Sequence, residues 1–159
     1  MAIGRVNWVV TTGANVALTA STAKSVLGIT SDSNKTLKIT EFGVGFDATD
    51  ATKAPVLVEL CACTFATNAP GTNSTTVTAV KQSGTAATDD NSAARNWTTE
   101  PTVITVLKEW LIDSNKGQFI LQFPLGREPE SVAGQGFVLR CTSGSGSTPN
   151  VRAYFEVEE

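Results

Sequence analysis

At 159 residues the chain is long enough for one domain with a real core and too short for two comfortable ones. Hydrophobic residues make up 41% and charged residues 17%, with Ser, Thr, Ala and Gly filling the gap, which excludes a disordered composition and leaves a surface poor in charge. Twelve Lys and Arg against fifteen Asp and Glu give a formal charge of -3, without the basic footprint that grips phosphates, so nucleic acid is not an expected partner.

The chain opens MAIGRVNWVV, which has neither the charged start and apolar stretch of a secretion signal nor the length of a membrane span. The expectation is a protein made in the cytoplasm and without a membrane partner. VNWVVTT and NVALTA carry the β-branched enrichment of short strands, and residues 1–15 are expected to form an arm or an edge strand. In KTLKITEFGVGF, Leu37 and Ile39 share one parity and Phe42, Val44 and Phe46 the other. The buried face therefore changes sides, as a bulge or a crossing between sheets requires. PVLVELCACTF is apolar on both parities and reads as a central strand covered on both faces. TTVTAV is a further short candidate.

EPTVITVLKEWLI is the one stretch with helical spacing, at Val103, Leu107, Trp110 and Leu111 after Pro101, yet Val103 to Val106 is a β-branched run. A turn or short helix running into a strand is expected there. GQFILQFPL sets Phe119, Leu121 and Phe123 against Gln118, Ile120 and Gln122, and GFVLRCT sets Phe137, Leu139 and Cys141 against Val138, Arg140 and Thr142. NVRAYFEVEE ends the series with Val151, Ala153, Phe155 and Val157 on one face and Arg152, Tyr154, Glu156 and Glu158 on the other, a half-buried strand. Gly-, Asn-, Asp- and Ser-rich turns such as FDATDATKAP, KQSGTAATDDNSAA and TSGSGSTPN separate these elements. The pattern predicts one all-β domain over 1–159. It would be an antiparallel two-sheet β-sandwich, jelly-roll-like, with long loops and at most one short helix, Greek-key or immunoglobulin-like topology being the alternative.

The chain contains no histidine, which removes the commonest general base and a frequent metal ligand. What is left is carboxylate, lysine and oxygen-ligand chemistry. Glu128 and Glu130, in the loop FPLGREPE, could be read as a glycosidase acid pair, but two residues apart they have no opposite wall to face across. A loop held rigid by Pro124 and Gly126, with Arg127 forked between Glu128 and Glu130, is the preferred reading, and it favours contact over catalysis. Asp47 and Asp50, and Asp89, Asp90 and Asn91, look like calcium loops without the spacing of an EF-hand and are read as solvated turns. Cys61, Cys63 and Cys141 suggest buried free thiols, not a disulfide framework or a metal site. Trp8, Trp97 and Trp110 could build a sugar-stacking platform, with core packing preferred for Trp110. The sequons at Asn34, Asn73 and Asn96 predict nothing without a signal peptide. No cofactor and no enzymatic activity are expected.

The series ELC, EPT, LKEW, PLGREPE, GFVLRCT and NVRAYFEVEE, spread from about Val58 to Glu159, resembles a group of small β-rich virion proteins of tailed bacteriophages. The resemblance implies a capsid decoration or cement protein with a jelly-roll-like domain. Such a protein, often a homotrimer, binds the major capsid protein on the outside of the shell and is located in the virion. It carries no functional residues over to this chain. The alternatives are a carbohydrate- or receptor-binding sandwich and a tail or neck component of the virion.

Overall fold

In the computed structural model, residues 6–47, 52, 54–83 and 90–159 are described, and among them there is no helix. The chain order is β1 (Asn7–Thr11), β2 (Val16–Ala17), β3 (Ala23–Thr30), β4 (Lys38–Phe46), β5 (Pro55–Cys63) and β6 (Thr75–Val77). There follow β7 (Val80–Ser83), β8 (Ser92–Arg95), β9 (Ile104–Asp113), β10 (Gln118–Gln122), β11 (Gly136–Thr142) and β12 (Asn150–Glu158). One sheet runs β10-β4-β12-β1-β7, with β2 added to β12, and the other runs β6-β8-β3-β11-β5-β9. Every strand pairing is antiparallel. The result is the expected β-sandwich, and the chain changes sheet at β2 to β3, β3 to β4, β4 to β5, β6 to β7, β7 to β8, β9 to β10, β10 to β11 and β11 to β12.

The period-two alternation explains the packing directly. Val151, Ala153, Phe155 and Val157 of β12 are buried and meet Val10 and Trp8 of β1 and the inner face of β4. The change of buried face in β4 is a bulge: Glu156 pairs with Glu41 and Val157 with Ile39, so that Thr40 is the extra residue. Leu37 and Ile39 before it, and Phe42 and Val44 after it, therefore all reach the core. β5 is covered on both faces as expected, by the inner core under Val56, Val58 and Leu60 and by an outer layer over Cys61 and Cys63.

That outer layer is Trp97, stacked on Phe65 with ring centroids 6.3 Å apart and donating from Nε1 to the Asn68 carbonyl at 2.8 Å. Gly28 of β3 gives it room: a Cβ there would lie 2.8 Å from Trp97 Cη2. Trp8 and Trp97 are buried, and Trp110 packs among Phe42 (5.2 Å) and Phe119 (5.4 Å), so no tryptophan platform faces solvent. The candidate helix of EPTVITVLKEWLI is strand β9, preceded by a bend in which Val103 takes a φ of 58°. Its β-branched run decides for extended backbone over the helical spacing. The segment expected as an arm or edge strand contains β1, which pairs with β12 on one side and β7 on the other, while residues 1–5 fall outside the described residues.

Candidate functional site

The loop FPLGREPE is an excursion from the edge of the first sheet. Phe123 N–H donates to the Thr40 carbonyl at 2.8 Å and Ile39 N–H to the Pro129 carbonyl at 3.0 Å, so residues 124–128 protrude between two points tied to β4. Arg127 N–H closes a turn on the Pro124 carbonyl at 2.9 Å, and Gly126 supplies the φ of 81° that this turn needs. The Glu128 carboxylate accepts from Gly126 N–H at 2.6 Å. Leu125, at the tip, is 91% exposed.

The roles within the loop differ from the fork expected of Arg127. Glu128 caps the turn, and Glu130 instead takes Thr36 Oγ1 at 3.0 Å and Lys38 Nζ at 3.5 Å. Arg127 forms no ion pair among the described residues and points no charge into the loop's own bonding. Backbone amides, not the guanidinium, hold the turn, because a carboxylate two residues on reaches an amide more easily than it reaches a flexible five-donor head. Backbone N–H groups, its own first and then that of Gly126, hold the Glu128 carboxyl below the ordinary glutamate range. The expected consequence is that the turn is ordered above that range and loosens as pH falls through the lowered value. A carboxyl-carbon NMR titration should place the Glu128 midpoint below the usual ~4.3.

Behind this loop the two sheets end on the same side of the sandwich, β10 in one and β9 in the other. Trp110 of β9 touches Phe119 of β10, and Lys108 Nζ stands 5.1 Å above the Phe123 ring. The core is only half closed here, since Trp110, Ile112, Phe119 and Leu121 pack against it while remaining partly accessible. Around them Leu107 and Leu125 are exposed, and Leu111 (73% exposed) faces out from the second sheet at the same edge. β9 is ten residues long and pairs on one side alone, with β5. Its free edge is nevertheless guarded. A bulge at Leu107 breaks the register, and Lys108, opposite the buried Leu60, keeps an exposed charge at the edge with its ammonium over the Phe123 ring. Both devices discourage strand-to-strand addition, so this side is suited to contact through side chains.

The other sequence candidates are dispersed. Cys61 and Cys63 lie on the outer face of the second sheet and Cys141 on the inner one, all buried and free. Burial pushes the Cys61 thiol up to about 12 and Cys63 and Cys141 upward as well, the opposite of a reactive thiolate. Among the described residues no group of three or more acidic, cysteine or histidine side chains could hold a metal ion. The Asp47 carboxylate accepts from Asn150 Nδ2 at 2.5 Å and Asn150 N–H at 3.2 Å, and Asp90 pairs with Lys35 at 2.9 Å. Asp50 and Asp89 lie outside the described residues.

Two polar constellations had no signal in the sequence. Arg140 of β11 donates from Nε and Nη2 to the two carboxylate oxygens of Glu59 at 2.8 and 3.0 Å, a bidentate pair with Glu59 buried. Glu100 accepts from Ser25 N–H at 2.8 Å and Ser25 Oγ at 2.5 Å, fastening the loop before β9 to the buried middle of β3. Both join residues of the chain 75 or more positions apart, which no local pattern could link. No protein-family model matches the chain, and no curated protein matches it.

Proposed function

We propose that the chain is a structural protein of a tailed-phage virion, a capsid decoration or cement protein that docks on the major capsid protein and on further copies of itself as a homotrimer. The observation that carries this reading is the β9/β10 side. Two adjoining sheet edges, a half-closed aromatic core between them and the projecting Leu125 turn come together on this side. Burying the partly open Trp110, Phe119 and Leu121 and the exposed Leu125 supplies apolar contact, and the bonded turn at 124–128 loses little entropy on contact. The repeated crossing between sheets suits the jelly-roll-like domain that the resemblance implies. No reaction is required: a protein that binds only the assembled shell stabilises it by mass action, and many copies add.

The contact residues can be tested by placing a charge on the side. Leu125→Asp and Leu111→Glu are expected to weaken binding to capsid shells by roughly tenfold or more, since a buried leucine contributes about 1.5–3 kcal/mol. Val80→Asp, on the exposed edge strand β7 away from this side, should bind as the parent does. Equal binding by all three variants would remove the β9/β10 side from the interface. Immunogold labelling of intact virions at the neck or tail, and not over the head, would move the protein to the other virion position considered above.

A further inference from the structure

The outer face of the first sheet holds a trough that the virion reading does not use. β4 contributes glycines at two successive outward positions, Gly43 and Gly45, between taller side chains on both neighbours. Gln118 and Arg152 flank Gly45, and Ile120 and Tyr154 flank Gly43. A strand row lacking side chains between two rows that carry them is a groove by construction. It encloses about 460 Å³, within the ~300–1,000 Å³ usual for small-ligand sites. A second hollow of about 250 Å³ shares Gly45 and Arg152 and continues toward Asn15, Asn150 and Asp47, whose carboxylate is engaged by Asn150.

The lining is specific in chemistry. The Tyr154 ring lies across Gly43, in space that a Cβ would occupy, with Cε1 2.1 Å from the Cβ position. Its hydroxyl donates to the Glu41 carboxylate, which fixes the ring flat along the sheet. Arg152 is held by one bond, from Nε to Asn15 Oδ1 at 2.7 Å, and makes no ion pair among the described residues. Among the described residues its guanidinium is the one charged group lining the larger hollow. Gln118 and Thr11 add an amide and a hydroxyl.

The geometry points to a binding site for an acidic saccharide, such as a uronate-containing glycan. The sugar carboxylate takes the open end of the Arg152 fork, the apolar face of the pyranose ring lies on Tyr154 and Ile120, and the sugar hydroxyls reach Gln118 and Thr11. An elongated trough running past Arg152 into the second hollow suits a chain of sugars better than a compact anion.

Tyr154 is the chain's one tyrosine, so protein labelled with ¹³C-tyrosine reports on this site alone. The isolated protein is titrated with short oligogalacturonates and, in parallel, with cello-oligosaccharides of equal length. Capsid shells are absent, so the outcome is independent of the virion reading. The expected result is a saturable shift of the Tyr154 ring signals with the uronate and a much weaker one with the neutral glucan. Arg152→Gln should weaken binding roughly tenfold or more, as loss of a charge-assisted contact implies. Gly45→Leu should abolish it while leaving the fold intact, because a Cβ at Gly45 meets nothing closer than Gln118 Cβ at 3.6 Å. No shift with the uronate through the millimolar range, an equal response to the neutral glucan, or undiminished binding by Gly45→Leu would each overturn the assignment.

Discussion

Replacing Arg140 by methionine is expected to destabilise the fold by about 3–5 kcal/mol, the cost of leaving a buried charge without its partner. Glu59 is 6% exposed and both of its oxygens are bound by the one guanidinium, so no other group stands ready to take over. Its neighbour across the β5–β9 pairing is Glu109, a like charge that the arginine now offsets. Replacing both members, as Glu59→Leu with Arg140→Met, should recover much of the loss, because an apolar pair of similar volume leaves nothing unpaired. Urea melts of the parent, the two single variants and the double variant give the coupling directly. A cost below about 1 kcal/mol for Arg140→Met would mean that the pair behaves as a solvated surface bridge.

Removing the Trp97 ring should cost a similar amount, about 3–5 kcal/mol for a large buried aromatic truncated to alanine. The effect has a second part. Trp97 is 1% exposed, covers Gly28, stacks on Phe65 and bonds the Asn68 carbonyl, so it joins the loop after β5 to the middle of the second sheet. Its loss should therefore raise amide exchange selectively across residues 64–74, beyond the global loss of stability. Gly28→Val tests the same contact from below, since the added side chain would begin 2.8 Å from the ring. If Trp97→Ala melts like the parent, the outer layer contributes little to the fold and β5 is held by the inner core alone.

What the sequence made legible follows from where its alternation is clean. β12 alternates inward and outward residues without interruption and β10 does so apart from the outward Ile120, and each lies in the sheet with the face orientation that the alternation requires. The face change in β4 was readable because five aromatic or aliphatic residues, Leu37 and Ile39 before Thr40 and Phe42, Val44 and Phe46 after it, fall on opposite parities. β3, by contrast, is buried from Ser25 to Ile29 and carried no clear signal. Ser25 and Gly28 interrupt its pattern, and the partners that make them acceptable inside, Glu100 and Trp97, are about seventy residues away. TTVTAV looked like one strand and instead supplies all of β6 in one sheet and the first residue of β7 in the other.

The same limit applies to the surfaces. FPLGREPE stood out as a rigid loop, and its turn is held by hydrogen bonds at Gly126, Arg127 and Phe123, with Glu128 as the cap that composition could not distinguish from Glu130. The open β9/β10 side and the trough over Gly43 and Gly45 exist only once strands distant in sequence are neighbours. Period two showed that Tyr154 and Arg152 face outward, but only the register of β4 against β12 puts glycines beside them.

The most direct measurement of the central claim is co-sedimentation of the purified protein with expanded, protein-depleted capsid shells of the phage that encodes it, titrated to saturation. The virion-structural account predicts saturable binding at a stoichiometry fixed by the symmetry of the shell, with a rise in the shell's melting temperature. Failure to bind shells, together with absence of the protein from purified virions, would contradict it.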